Sequence, residues 1–330
     1  MVSVDLQLAI NSLLRLKRAI VYESLEPGQE SEDSEDTATE DDFVQQIDTT
    51  LSLLGSKLAL QVGGSRHFSH TDPEYIWTKL NITSAGFIIL KPSPEERIAA
   101  TTSLGQNELW SSANLYHHLH LLGNVVPQKT EASSRAWIDA FFFRVSAMLP
   151  PDQHMVLNME QVVPAMTIRP LSFPILSGFV DYFAVVSQCT ASTDFYLNTQ
   201  TLDVYKFFKP PSFFIIEAKD FWSETLDHVH QAVCGLYACG QLLQKKILCG
   251  ALTNGHDWVF LLVKLNDDYD GASYQQSPMI QLQITRGVDN QLVIHEPWPD
   301  LIAGILSYWI TNSSADLGGD DWFEPLLVAE

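Results

Sequence analysis

Phe213-Phe214-Ile215-Ile216-Glu217-Ala218-Lys219 is the stretch on which the fold turns. Four consecutive large apolar residues read as a strand buried on both faces, not one with a solvated side. Such a strand lies inside a sheet with other layers above and below it. The run then ends in two charged groups, which a buried strand does not tolerate without compensation. Side chains alternate along a strand, so Glu217 and Lys219 point to one side and Ala218 to the other. A carboxylate and an ammonium thus emerge together at the end of a central strand.

Upstream, Gly178-Phe179-Val180-Asp181-Tyr182-Phe183 sets one carboxylate inside a second apolar strand, expected over 179–187. A buried aspartate is costly unless paired, hydrogen-bonded or metal-bound. Further strands are read at 162–168 and 204–208. A helix from Ser223 or Thr225 to Gln244 follows, and then strands at 247–252 and 258–265 joined by a turn at Asn254-Gly255. Before them all, Trp137, Phe141, Val145 and Met148 follow one helical face, with Ser133 or Ser134 as N-cap and Pro150-Pro151 as the stop. The order helix, strands, helix, strands predicts an α/β domain of the α+β type, a mixed central sheet flanked by helices.

If the two charged strands are neighbours, Asp181 and Glu217 converge on one hard divalent cation. Magnesium suits one or two carboxylates, several waters and substrate phosphate oxygens. Lys219 would then stand near the attacking water or the scissile phosphate, as charge stabiliser or proton handler.

This pattern resembles the PD-(D/E)XK nuclease superfamily, whose signature is a carboxylate followed by (D/E)-x-K on an adjacent strand. Asp181 and Glu217-Ala218-Lys219 match it, and Gln231 falls in the following helix, where several branches carry a site glutamine. Residues 131–265 are also similar to a group of uncharacterised fungal proteins with this core. The resemblance implies a restriction-endonuclease-like core and a magnesium- (or manganese-) dependent enzyme that hydrolyses DNA or RNA. Asp181 and Glu217 would hold the metal, Lys219 serve the nucleophile and Gln231 orient water or substrate. Glu131 is a further ligand candidate, as in some family members; an acid favoured by a helix N-terminus explains it equally well. The chain departs from the pattern in three places. Asp181 and Glu217 are 36 residues apart, with an insertion around 188–202. Val180 stands where the superfamily's name has proline, and Gly235 stands where one branch has tyrosine four residues after the glutamine.

A plain cross-strand salt bridge is the competing explanation of Glu217 and Lys219. His228 and Gln231 share a helical face that could turn to the site. Alternation turns Asp220 away. Cys234 and Cys239 read as small core residues, His256-Asp257 as a loop pair, and His117, His118 and His120 as no metal site.

The chain has 330 residues and a formal charge of −21. Residues 26–42 hold nine acids and no Lys or Arg, and residues 266–330 hold eleven acids against Arg286 alone. Residues 165–265, with eight acids and seven Lys or Arg, are nearly neutral. Three regions follow. The first, 1–130, is helical, with an amphipathic helix from Leu6, a charged linker over 25–42 too poor in apolar residues to fold and a helix over 43–60. Then come the 131–265 core and an acidic extension over 266–330. Acidity lowers, without removing, the expectation of a nucleic-acid partner. It also favours the alternative, a catalytically inactive nuclease-like module that binds a protein through its acidic segments. No uncharged apolar run is long enough to span a bilayer, and no basic region precedes an apolar stretch at the start. With four unpatterned cysteines, the expectation is a reduced intracellular protein of nucleus or cytoplasm.

Overall fold

In a computed structural model of the chain, residues 65–326 are described apart from 170–171, 189, 200–201, 203–204, 206–211, 288–291 and 314–316, together with residues 13, 47 and 50. The expected N-terminal helices and the 25–42 linker lie outside the described residues, save that Leu13, Ile47 and Thr50 are helical. The chain divides into two compact units, Met1–Arg66 and His67–Glu330. The elements named here belong to the second.

In chain order they begin with α1 (Pro73–Thr78), β1 (Ile82–Leu90), α2 (Glu95–Ser103), α3 (Ser112–Val125), α4 (Glu131–Met148), β2 (His154–Arg169) and β3 (Ser172–Ser187). Next are α5 (Thr190–Leu197), β4 (Ser212–Ala218), α6 (Val229–Leu243), β5 (Ile247–Thr253), β6 (Asp257–Leu265), β7 (Ala272–Gln276) and β8 (Ile280–Gln281). A small hairpin of β9 (Ile284–Arg286) and β10 (Leu292–Ile294), α7 (Trp298–Thr311) and β11 (Phe323–Pro325) complete the unit. The main sheet runs β2-β3-β4-β5-β6-β7-β1-β11, with β8 also paired to β6. It is mixed: β4 with β5 and β7 with β1 are parallel, and the remaining pairs are antiparallel.

Strand β4 sits deep in this sheet, and all seven of its residues are buried. Its alternation divides the interior in two. Phe213 and Ile215 join one apolar cluster with Val233, Leu236 and Tyr237 of α6. Phe214, Ile216 and Ala218 join another with Trp137 and Phe141 of α4 and Ile305, Leu306 and Trp309 of α7. The four apolar residues therefore mark a strand sandwiched between helical layers, which is the meaning of an unbroken apolar run. Residues 82–90 and 323–325, outside the 131–265 stretch, add β1 and β11 to the same sheet.

The local signals hold with instructive differences. Helix α4 starts earlier than expected: Thr130 is its N-cap, and the Ser133 hydroxyl fills the other half of a reciprocal capping box. Tyr205, the second residue of the strand expected over 204–208, has helical backbone, and the rest of that stretch lies outside the described residues. Leu202 and Tyr205 are buried against Phe183 and Phe213, so their apolar character reflects packing, not a strand. The turn at Asn254-Gly255 is present; Gly255 has φ +86° and an added Cβ would lie 2.6 Å from Trp137 Cβ, so only glycine fits. Among the described residues, no helix is long and apolar enough to cross a membrane.

Candidate active site

The β3–β4 ladder runs from Val186↔Ser212 to Tyr182↔Ile216. Asp181 and Glu217 are the next residues on the two strands, one step past the last ladder pair. Pairing stops there, and a side chain takes over: the Ala218 amide donates to Asp181 Oδ2 at 2.7 Å. On the other flank of β4, Ala218 pairs with Thr253 of β5, and the Lys219 amide donates to the Thr253 carbonyl at 2.9 Å. Asp181, Glu217 and Lys219 thus stand close together where β4 and β5 end beside the continuing strand β3.

Glu217 and Lys219 share a side, as alternation requires. Lys219 Nζ lies 2.7 Å from Glu217 Oε1, and the same oxygen accepts from Gln231 Nε2 at 2.5 Å. Gln231 reaches it from the first turn of α6 and is itself buried. Burial pushes Glu217 up to about 7; Lys219 opposes this, and Asp181 and Glu131 add to it by repulsion. Asp181 also moves above the ordinary carboxylate range, chiefly by burial, against the Ala218 hydrogen bond and the attraction of Arg135 and Lys219.

Arg135 of α4 completes the cluster. Its Nη2 lies 2.7 Å from Asp181 Oδ1 and 2.8 Å from Glu131 Oε1, and its Nη1 lies 2.6 Å from Glu160 Oε1. Burial opposes its charge, but the Glu160 hydrogen bond and the Asp181 and Glu131 carboxylates outweigh that and hold it firmly cationic. Glu160 lies between the ladder pairs Met159↔Tyr182 and Gln161↔Val180, level with Asp181, and has φ +52°. A non-glycine residue in that region is strained, and the strain coincides with the aim of its carboxylate at Arg135. Behind Asp181, the Tyr182 hydroxyl donates to Asp139 Oδ1 at 2.9 Å.

The structure brings Asp181, Glu217, Lys219 and the buried Gln231 amide close together, and Glu131 lies close enough to influence both acids. Asp220 does not take part; its Oδ1 accepts from the Trp222 and Ser223 amides and closes the turn after Lys219. That turn exposes Trp222 (73%) and is followed by the exposed Leu226, while Phe179, two residues before Asp181, is exposed on β3. His228 caps α6, its pKa lowered by burial and then by Lys219. His256 is not a simple loop residue: it is buried, with ring centroids 4.2 Å from Trp137 and 5.0 Å from Phe221, and burial lowers it to about 4.

Among the described residues, no group of three His, Cys, Asp or Glu is placed to hold a metal ion. Asp181 and Glu217 offer two carboxylates, and the space among Glu131, Glu160 and Asp181 holds a guanidinium. Four carboxylates, Glu131, Glu160, Asp181 and Glu217, share the two cationic side chains Arg135 and Lys219, and carboxylate oxygens are the donors a hard cation takes. Arg135 and Glu160 were not legible as site residues. The one trace in the sequence is the Glu131–Arg135 spacing of one helical turn, which reads as an ordinary surface pair. No protein-family model matches the chain, and no curated protein is similar to it by sequence.

Proposed function

We propose that the protein is a metal-dependent nuclease of the PD-(D/E)XK kind with a restriction-endonuclease-like core, hydrolysing phosphodiester bonds of DNA, with RNA as the second substrate option. The observation that carries this reading is the gathering of Asp181, within β3, with Glu217 and Lys219 at the end of the adjacent strand β4, and with Gln231 delivered by the next helix. The helix and strand pair after Lys219 stand in the order the resemblance implies.

Asp181 and Glu217 would hold Mg²⁺ or Mn²⁺, which when bound lowers the pKa of water and neutralises charge on phosphate. Gln231 fixes the Glu217 carboxylate from one side, so its orientation does not depend on the metal. Lys219, held by Glu217, keeps an ammonium where charge develops on the phosphate or where a proton must be handled. The exposed aromatic and aliphatic rim beside the site suits base faces better than a purely ionic groove would.

The test is hydrolysis of end-labelled single- and double-stranded DNA and RNA with Mg²⁺ or Mn²⁺. Asp181→Ala and Lys219→Ala should each abolish cleavage in protein that still melts cooperatively. Cleavage that survives both substitutions, or none with any substrate and metal, overturns the reading. In the latter case the inactive interaction module is favoured, on the acidity of the chain and the guanidinium within the acid cluster.

A further inference from the structure

Resting on the nuclease reading, we propose that Arg135 is a built-in counter-ion of the carboxylate site, a positioning residue that competes with the divalent cation for Asp181 and so sets metal affinity. Three carboxylates from three elements close on this one guanidinium: Glu131 of α4, Glu160 of β2 and Asp181 of β3. Asp181 is the member common to both arrangements, because its other oxygen accepts from the Ala218 amide, next to Glu217.

A cation taken up by Asp181 would share that carboxylate with a guanidinium 2.7 Å away, and two positive charges on one partly buried group repel strongly. Arg135 has somewhere else to go. Glu160 and Glu131 are both more exposed than Asp181, so the guanidinium can stay paired with them when Asp181 turns to the metal. Its Nε is buried without a hydrogen-bond partner, so the side chain is held through its two terminal nitrogens alone. An ion pair made by one Nη contact is also easier to give up than a two-pronged one. Arg135 thereby keeps the acids oriented in the metal-free protein and yields Asp181 when the cation arrives.

The experiment is calorimetric titration of metal-stripped full-length protein with MnCl₂ for wild type, Arg135→Met, Arg135→Lys and Asp181→Ala. Methionine keeps the aliphatic stem without the charge, and lysine keeps the charge. The expected result is Mn²⁺ binding at least about tenfold tighter in Arg135→Met, near-wild-type binding in Arg135→Lys, and none in Asp181→Ala. If wild type binds one Mn²⁺ that Asp181→Ala abolishes, but Arg135→Met binds equally or more weakly, the competition is refuted while the metal site stands. Absence of binding in wild type and Arg135→Met alike overturns both. A second measurement needs no methionine variant: the Arg135 Nη–H resonances of the wild-type protein, assigned by difference with Arg135→Lys, should shift on adding MgCl₂ as the Asp181 contact is lost. Unchanged resonances at saturating Mg²⁺ refute the proposal.

Discussion

Glu217→Gln removes a buried charge with almost no change of shape, and its effect should depend on pH in a calculable way. In the folded protein burial raises Glu217 from 4.5 to about 7, and its side chain is only 8% exposed, so solvent screening discounts this little. Between those two values the folded protein keeps a proton that the unfolded chain has released. The group's contribution is therefore fully present below pH 4.5 and is lost as pH rises through 7. At about 1.4 kcal/mol per tenfold change in proton affinity, the loss is roughly 3 kcal/mol. Lys219 opposes the rise, and its attraction is already contained in that value. Glutamine cannot titrate, so the variant should gain roughly 3 kcal/mol relative to wild type between pH 4.5 and 8. The difference between the two proteins is the quantity to read, because His256 has the opposite dependence and masks the absolute trend. Urea denaturation in EDTA at half-unit pH steps supplies it. Two parallel stability curves would refute the reasoning, because Glu217 would then titrate alike in the folded and unfolded chains.

His256, lowered to about 4 by burial, stays neutral where the unfolded chain is protonated, so its contribution is present above about pH 6.5 and lost as pH falls through 4. His256→Phe should flatten that acid limb by up to about 3 kcal/mol in the same urea series. An unchanged limb contradicts it. Phe214→Ala empties a fully buried position of β4 and should cost about 3–5 kcal/mol in urea, whereas Phe179→Ala, at an exposed position of β3, should cost under about 1 kcal/mol. Trp222→Ala should weaken binding of a fluorescein-labelled single-stranded oligonucleotide about tenfold without moving the melt, the scale of one lost base stack. Equal affinities would remove Trp222 from the binding surface.

What the sequence made legible is what local pattern encodes. The apolar run at 213–216 announced a strand covered on both faces, and period two put Glu217 and Lys219 on one side of it. An aspartate inside an apolar strand announced a partner, and Asp181 has two. What stayed hidden depends on distance along the chain. Arg135 meets Asp181 across 46 residues, and nothing near either one marks the pairing. Strands β1 and β11 join the sheet from positions far outside the central stretch, through pairings no local period reveals. His256 looks like a turn residue because its neighbours are turn residues; its burial comes from Trp137 of α4 and Phe221 of the loop after β4. Tyr205 reads as strand by composition, yet its ring is held by Phe183 and Tyr196 in a helical setting.

The most direct test of the proposed metal site is the anomalous diffraction of crystals soaked in MnCl₂. The account predicts one strong manganese peak beside the Asp181 and Glu217 carboxylates, with the Arg135 guanidinium turned from Asp181 toward Glu160. A saturating soak with no peak there, Arg135 still seated on Asp181, would contradict it.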